Sequence, residues 1–165
     1  MTKAPPLHRL LLLVAVVGLQ PGCAAVRDAG PPAPRNVILL VGDGLGASAL
    51  TMARNYHVGA AGRLAIDALP VSGMCTTWAV HEEDPSRPDY VTDSSSSASA
   101  IATGRKTSNR RLSTAPASGE PVATILEQAQ RAGYRTGLVS TAHVADATPA
   151  AFAAHINFRW CFDPT

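Results

Sequence analysis

Apolar residues along this chain occur first as a strand-like run and then with helical spacing. Residues 36–41 are Val-Ile-Leu-Leu-Val after an asparagine, which is typical of a strand buried on both faces of a parallel sheet. A glycine-rich turn follows at 42–46, and residues 47–56 can continue as a helix. The pattern predicts a strand-turn-helix unit with Asp43 at the carboxyl end of the strand, where open α/β sheets build their sites.

The rest of the chain continues the alternation of strands and helices. Residues 121–133 begin with proline, place Ile125, Leu126 and Ala129 on one face and end with glycine, which predicts an amphipathic helix. Further elements are predicted as strands at 73–80 and 134–140, a charged loop at 81–89 and a helix at 149–159. This order predicts an α/β fold with a largely parallel sheet.

Four consecutive serines begin at Ser94. Such a run is more often a helix cap or a flexible linker than a nucleophile. Ala98 and Ala102 recur at helical spacing and Gly104 is placed to end a helix, so we expect a short ordered helix opened by Asp93 and Ser94. A hydroxyl at a helix start faces unpaired N–H groups and the positive end of the dipole, a setting that favours a bound phosphate.

The N-terminus has the form of an export signal. Lys3 and Arg9 precede a ten-residue apolar stretch at 10–19, and small residues for cleavage follow. Ten apolar residues reach only about half way across a bilayer, so a spanning anchor is disfavoured. The sequence therefore predicts a signal peptide at 1–25 and a Pro/Gly-rich linker at 26–35, with export to the periplasm or secretion.

Length, composition and charge describe an ordinary globular domain. The 165 residues, 46% hydrophobic and 16% charged, suffice for one domain with a core. Two of the 14 Lys and Arg residues lie in the signal segment, so the remainder balances the 12 Asp and Glu residues. Nothing in this charge distribution indicates nucleic-acid recognition.

Three cysteines leave their chemistry open. Cys23 lies in the signal region, where it is either removed by cleavage or lipidated as in a bacterial lipoprotein. Cys75 and Cys161 can then pair with each other, as exported proteins allow. Alternatively, Cys161 pairs with a cysteine outside this chain.

Oxygen-bearing side chains follow several of the predicted strands or their exit loops. They are Asp43, the pair Asp93 and Ser94, and the pair Asp146 and Thr148. We expect them to converge on one edge of the sheet. Carboxylate and hydroxyl oxygens suit Mg²⁺, and aspartate also binds Zn²⁺, although each short motif by itself is equally a turn or a cap.

Taken together, the motifs resemble the N-terminal part of a bacterial alkaline phosphatase. The matching segments, in order and spacing, are 36–46, 91–100, 103–109, 139–142 and 146–150, followed by His155 and Arg159. The resemblance implies a three-layer α/β fold with a mostly parallel central sheet, incomplete at the C-terminus, over residues 36–165. It also implies hydrolysis of phosphate monoesters by an enzyme family that is often dimeric.

The resemblance implies a role for each matching residue. Ser94 corresponds to the nucleophile that is phosphorylated and also contacts metal, and Asp43 to a carboxylate shared between one Zn²⁺ and Mg²⁺. Thr148 corresponds to a Mg²⁺ ligand and Asp146 to a residue that supports that site through water. Arg159 corresponds to the guanidinium that holds two phosphate oxygens, with Asp93 steadying it.

The chain departs from the family at the zinc ligands. A serine hydroxyl is a weak nucleophile, and the sequence gives no Ser-His-Asp arrangement, so activation has to come from metal. The family's Asp-x-x-x-His and Asp-His elements are absent, and His57, His81 and His143 do not match its zinc histidines. We take His155 as structural and expect this chain alone to be inactive or nearly so.

Two other interpretations remain open. A phosphodiesterase or sulfatase of the same superfamily is one, although the Cys/Ser-x-Pro-x-Arg pattern of sulfatases is missing around Ser94. A non-catalytic remnant or envelope binding protein is the other. Part of a parallel sheet would also expose an apolar edge prone to aggregation.

Overall fold

The computed structural model describes residues 36–161. The predicted signal peptide, the linker and Cys23 lie outside these residues. The chain divides into two units after Leu40, and residues 36–40 are exposed and belong to no helix or strand. The elements that follow are α1 (Ala47–His57), a 3-10 turn (Ala65–Ala68), β1 (Ala79–Val80), β2 (Pro88–Asp89), α2 (Ser94–Thr103), α3 (Ile125–Arg131) and α4 (Ala147–Ala150).

The serine helix forms as predicted. Asp93 is the N-cap of α2, and its carboxylate accepts the backbone N–H of Ser96 at 2.9 Å. Gly104 ends the helix with φ 71°, a left-handed conformation that glycine adopts without steric cost. The small residues of α2 let it pack closely against α4, and this contact builds the core, formed by Ala98, Leu112, Ala147, Ala150 and Ala151.

The predicted helices agree with the structure to different extents. α1 begins at Ala47 as expected, whereas α3 begins at Ile125 instead of following Pro121 directly. Thr124 decides that start, because its hydroxyl accepts the N–H of Glu127 at 3.2 Å while the Glu127 carboxylate accepts the N–H of Thr124 at 2.9 Å. This reciprocal cap is stronger than the initiation signal of a proline.

The predicted helix over 149–159 is wrong. α4 is a single turn that stops at Ala150, and turns follow to residue 153. The backbone at Ile156 then forms an antiparallel bridge with Leu112, with N–H···O=C distances of 2.8 and 2.9 Å. This tertiary pairing replaces helical hydrogen bonds, so His155 and Arg159 do not share a helix face.

The described part of the chain contains one small sheet. β1 and β2 pair in antiparallel fashion with Ala79 opposite Asp89, so only the last two residues of the predicted strand 73–80 are paired. Residues 36–41 and 134–140 are not assigned to strands. A strand needs a neighbouring backbone as well as an apolar sequence, so the parallel sheet stays a prediction.

No helix within residues 36–161 is long and apolar enough to cross a bilayer.

Candidate functional site

The first turn of α2 is held by hydrogen bonds to Asp93. Its carboxylate accepts the Ser95 hydroxyl at 2.6 and 2.7 Å and the backbone N–H of Arg110 at 3.0 Å, besides the Ser96 N–H. Burial raises the pKa of Asp93, but these hydrogen bonds outweigh it and the net pKa lies below the usual value. The aspartate is therefore kept ionised at the start of the helix.

Ser94 differs from the serines that follow it. The hydroxyls of Ser95 and Ser96 are bound to Asp93, and that of Ser97 lies 2.9 Å from the Thr92 hydroxyl. The Ser94 Oγ instead lies 3.4 Å from Asp43 Oδ1, across 51 positions of sequence. Of the four serines, Ser94 is the one whose hydroxyl is directed toward Asp43.

Asp43 connects α2 to α4. Its Oδ1 faces Ser94, and its Oδ2 accepts the Thr148 hydroxyl at 2.8 Å. The turn that presents Asp43 is closed by a hydrogen bond from the Leu45 N–H to the Gly42 carbonyl at 3.1 Å. The arrangement places two hydroxyls, from α2 and α4, in contact with one carboxylate.

Arg159 is held by two aspartates from different elements. Its Nη2 donates to Asp146 Oδ1 at 2.9 Å and its Nη1 to Asp93 Oδ2 at 3.5 Å. The N–H of Ala147 and the Arg159 guanidinium hold the pKa of Asp146 below its usual range. Because Asp93 directly precedes Ser94, the guanidinium is tied to the residue beside the serine.

The structure thus brings together all six residues singled out in the sequence. They form two connected groups that meet at the start of α2: Asp43, Ser94 and Thr148 in one, and Asp93, Asp146 and Arg159 in the other. A carboxylate with two hydroxyls next to an arginine is an arrangement that can bind a hard cation and a phosphate side by side.

Comparison with known proteins identifies the family. The alkaline phosphatase family matches residues 34–165. The chain belongs to the alkaline phosphatase family. It is 51% identical over 152 residues to the streptomycin-6-phosphate phosphatase of Streptomyces griseus, covering 92% of this chain and 33% of that protein. The family resemblance drawn from the motifs is confirmed.

Solved structures agree with an alkaline-phosphatase-like fold. The cold-active alkaline phosphatase of a psychrophilic Shewanella sp. matches with 34% identity and a TM-score of 0.64, over 73% of this chain and 30% of that one. A histidine-to-aspartate mutant of the TAB5 alkaline phosphatase, with Mg bound in its M3 site, matches with 28% identity and a TM-score of 0.55, over 66% and 29%. The chain spans about a third of the length of these relatives.

The donor atoms at the site fit Mg²⁺ better than Zn²⁺. Asp43, Ser94 and Thr148 offer only oxygen, as a hard cation prefers, and they supply part of an octahedral set. Within residues 36–161 no group of three or more His, Cys, Asp and Glu side chains is arranged to hold a metal. This alkaline phosphatase segment therefore fits one side of a magnesium site and does not fit a zinc cage.

The histidine and cysteine side chains are placed elsewhere. His155 Nδ1 donates to the Ser113 carbonyl at 2.8 Å, and its Nε2 lies 2.9 Å from the Glu127 carboxylate. These contacts agree with a structural role. Cys75 and Cys161 are exposed free thiols, so the disulfide between them is not formed.

The loop at Asn109 and Arg110 was missed in the sequence. The Asn109 amide accepts the Asp93 N–H at 2.9 Å and the Ser96 hydroxyl at 2.7 Å, and it donates to Asp89 at 2.9 Å. The Arg110 carbonyl accepts the Arg159 N–H at 2.8 Å. Asn109 is the last residue of the matching segment 103–109, and that motif could have indicated it. No local sequence pattern indicated Arg110.

Proposed function

We propose that this segment supplies the nucleophile and the phosphate-binding arginine for hydrolysis of phosphate monoesters. One observation carries the proposal: the Ser94 hydroxyl, at the start of α2, faces Asp43, which also accepts the Thr148 hydroxyl, while Arg159 is tied to the residue before Ser94. Family membership and a relative named as the phosphatase of a phosphate monoester support it.

The residues divide the work between binding and bond formation. Arg159 binds two non-bridging phosphate oxygens in bidentate fashion, and Asp93 and Asp146 fix the plane of its guanidinium. Ser94 Oγ gives up its proton and attacks phosphorus as the bond to the ester oxygen breaks, and the leaving alkoxide takes up one proton to become the alcohol. Water then attacks the phosphoserine, which releases phosphate and restores Ser94.

Metal ions complete the proposed site. Asp43 and Thr148 would hold Mg²⁺, Asp43 would also hold one Zn²⁺, and Ser94 would contact metal. Bound metal supplies positive charge near the reacting oxygens, and Asp146 would support the Mg²⁺ site through water. Two Zn²⁺ ions belong to the proposal through the family, and most of their ligands are not among residues 36–161. The proposed fold of the complete enzyme has the mostly parallel central sheet.

We expect the 165-residue chain by itself to have little or no phosphatase turnover. Within the described residues the site offers one carboxylate and two hydroxyls, too few ligands to hold zinc. Without zinc, Ser94 stays protonated and the negative charge that develops on its oxygen is poorly opposed, an effect worth several kcal/mol of barrier. The measurement is release of phosphate from an aryl phosphate by the purified chain with Zn²⁺ and Mg²⁺. Metal-dependent turnover that Ser94→Ala abolishes would contradict this expectation while supporting Ser94 as nucleophile.

The role of Ser94 is tested in a hybrid that contains the part of a relative that this chain does not cover. We would graft residues 36–161 into the streptomycin-6-phosphate phosphatase in place of the matching segment. Ser94→Ala in this hybrid is expected to lower turnover about a thousand-fold or more, because of the four serines at the start of α2 only Ser94 directs its hydroxyl toward Asp43. Ser97→Ala is the matched control and should change turnover by no more than a few-fold.

Results of the same assay also separate the alternatives. A hybrid that keeps full activity after Ser94→Ala refutes the proposed nucleophile. A preference for a phosphate diester over the monoester would instead favour a phosphodiesterase, and an inactive but folded hybrid would favour a non-catalytic remnant. Substrate choice among monoesters is a separate question.

We also propose export through residues 1–25 to the periplasm or medium, with Cys23 either lost or lipidated, and a homodimeric complete enzyme. Cell fractionation and mass spectrometry of the mature N-terminus test the first two. A protein that stays in the cytoplasm with Met1 or Thr2 at its N-terminus would contradict export.

A further inference from the structure

Arg110 has an unusual backbone conformation beside the proposed phosphate site. Its φ is 72°, in the left-handed region that disfavours residues with a β-carbon. Its N–H donates to Asp93 Oδ2 at 3.0 Å and its carbonyl accepts the Arg159 N–H at 2.8 Å, so neighbours on both sides hold this conformation. Glycine would adopt it at lower cost, so what arginine adds here is its side chain.

The Arg110 side chain lies against an aromatic pair. Its guanidinium carbon is 5.4 Å from the centroid of the Trp160 ring and 6.0 Å from that of Phe158. The two rings meet edge to face with centroids 5.1 Å apart. The guanidinium carbon of Arg159 is 5.7 Å from the same Trp160 ring. Two cationic groups therefore share one indole, and Arg110 is positioned close to the proposed phosphate arginine.

The arginines at this site differ in their charge partners. Arg159 contacts the carboxylates of Asp93 and Asp146, and Arg111 contacts Glu82. The Arg110 guanidinium, in contrast, has no carboxylate or hydrogen-bond acceptor within residues 36–161. Its hydrogen-bond donors are therefore available to a ligand.

Arg110 also lines a cavity that reaches the proposed phosphate site. The cavity has a volume of about 760 Å³, and its lining includes Asp93, Arg110, Arg159 and Trp160. Glu82 and Asp89 line it too, but they are bound to Arg111 and Asn109 respectively. A small phosphate ester with its phosphoryl group at Arg159 can extend its alcohol part along this cavity.

We propose that Arg110, supported by the rings of Phe158 and Trp160, binds a second anionic group carried by the alcohol part of the phosphate monoester substrate. The group is a carboxylate or a second phosphate, since a guanidinium matches both with paired N–H donors. This proposal rests on the proposed function, because Arg159 must hold the phosphoryl group. It assigns the site a preference for monoesters whose alcohol part carries its own negative charge over esters of neutral or cationic alcohols.

The test compares two ligands that differ in one charged group. The full 165-residue chain, with Mg²⁺ present, would be titrated calorimetrically with 3-phosphoglycerate and with glycerol 3-phosphate, which has a hydroxymethyl group in place of the carboxylate. We expect 3-phosphoglycerate to bind about ten-fold more tightly, the size typical of a hydrogen bond to a charged group. Inorganic phosphate serves as the reference for the phosphoryl site.

Substitutions of arginine assign the preference to one residue. Arg110→Gly accommodates the left-handed backbone and removes the guanidinium, so it should abolish the preference and leave the affinity for glycerol 3-phosphate unchanged. Arg105→Ala is the control, because it removes an equal charge from an exposed residue outside the cavity. It should keep the ten-fold preference. Circular dichroism verifies that each variant is folded.

The remaining outcomes separate this proposal from the proposed function. Wild-type chain that binds both esters and inorganic phosphate equally well refutes the second anion site alone, as does a preference that persists in Arg110→Gly. An equal loss of affinity for both esters in folded Arg110→Gly also refutes the second anion site, because residue 110 then acts through its backbone and not through its guanidinium. If the wild-type chain binds neither ester nor inorganic phosphate, the phosphate site at Arg159 is wrong and both proposals fail.

Discussion

Two regions of the molecule differ in how their residues are buried. The leading region, residues 41–78, contains α1 and several large apolar side chains but no buried residue, and Val71 and Met74 are 82% and 102% exposed. In the site region, residues 79–130 and 146–161, side chains such as Leu112 and Ser99 are 1% exposed. Hydrophobicity along the chain therefore does not predict which residues are buried here.

The difference lies in specific hydrogen bonds. Ser99 Oγ donates to the Arg111 carbonyl at 3.1 Å and accepts the Ser113 N–H at 2.8 Å, and the Thr124 hydroxyl donates to the Phe152 carbonyl at 2.8 Å. These buried polar groups form hydrogen bonds with backbone groups 12, 14 and 28 positions away in the sequence. An apolar strand cannot be held by hydrogen bonds of its side chains, and it becomes buried only when a neighbouring strand or helix covers it.

The largest expected effect comes from the apolar centre of the site region. Leu112→Ala should destabilise the fold by about 2–4 kcal/mol, because it removes a buried side chain and leaves a cavity. Val71→Ala, at an exposed position of the leading region, should change stability by less than about 0.5 kcal/mol. Urea denaturation followed by circular dichroism measures both. Equal losses would remove the distinction between the two regions.

The buried polar centre should be nearly as sensitive. Ser99→Ala deletes two buried hydrogen bonds and leaves the Ser113 N–H without its partner, so we expect a loss of about 1–3 kcal/mol. Ser118→Ala is the control, since its exposed hydroxyl accepts only a long hydrogen bond of 3.4 Å. The same urea titration applies, and a Ser99 variant as stable as the control would show that hydrogen bonding does not distinguish the regions.

Acid should weaken the site region through Glu82. The guanidinium of Arg111, helped by the hydroxyl of Ser108, lowers the pKa of Glu82 to about 2 against the partial opposition of burial. A depressed carboxyl pKa contributes stability above about pH 4.5 that is lost as the pH falls toward 2. With Glu82 44% exposed, we expect about 1 kcal/mol after solvent screening. Glu82→Gln should reduce the change in unfolding free energy between pH 5 and pH 2. An unchanged pH dependence in this variant would show that the ion pair of Glu82 with Arg111 does not stabilise the site region.

The smallest expected effect is the change in stability caused by titration of His155 near neutral pH. Burial lowers the pKa of His155, but the Glu127 carboxylate and the Ser113 carbonyl, both acceptors, raise it above its usual value overall. Stability from this pair is fully present below about pH 6.5 and is lost as the pH rises through the raised pKa. We expect less than about 1 kcal/mol, since Arg131 competes for Glu127 at 3.8 Å. Thermal unfolding of His155→Gln should lose this pH dependence, whereas a steeper dependence would refute it.

Local signals predicted the ends of helices well. Asp93 and Gly104 mark the start and the end of α2, as their residue types indicate, because both act through hydrogen bonds or dihedral angles within one turn. The helix predicted over 149–159 failed because Ile156 pairs with Leu112, 44 positions away. The hydrophobic periodicity of residues 149–159 contains no information about a pairing with a residue as distant in sequence as Leu112.

In the candidate site, too, residue identities could be predicted from the sequence, whereas long-range contacts could not. Asp43, Ser94 and Thr148 were singled out by motifs, and their family was recognisable from order and spacing. Their distances depend on contacts across 51 and 105 positions. Arg110 was missed because its significance comes from its backbone conformation and from Trp160, neither of which has a local sequence signal.

The sequence by itself determined the family and the caps of α2 and singled out the candidate site residues, because these depend on residue type, motif order and short-range hydrogen bonds. Only the tertiary structure decided that Ser94 faces Asp43, that Arg159 is tied to Asp93, and that Arg110 has no carboxylate partner among residues 36–161. Such pairings depend on where distant segments meet in space, and the free energy of each is realised only after the chain has folded.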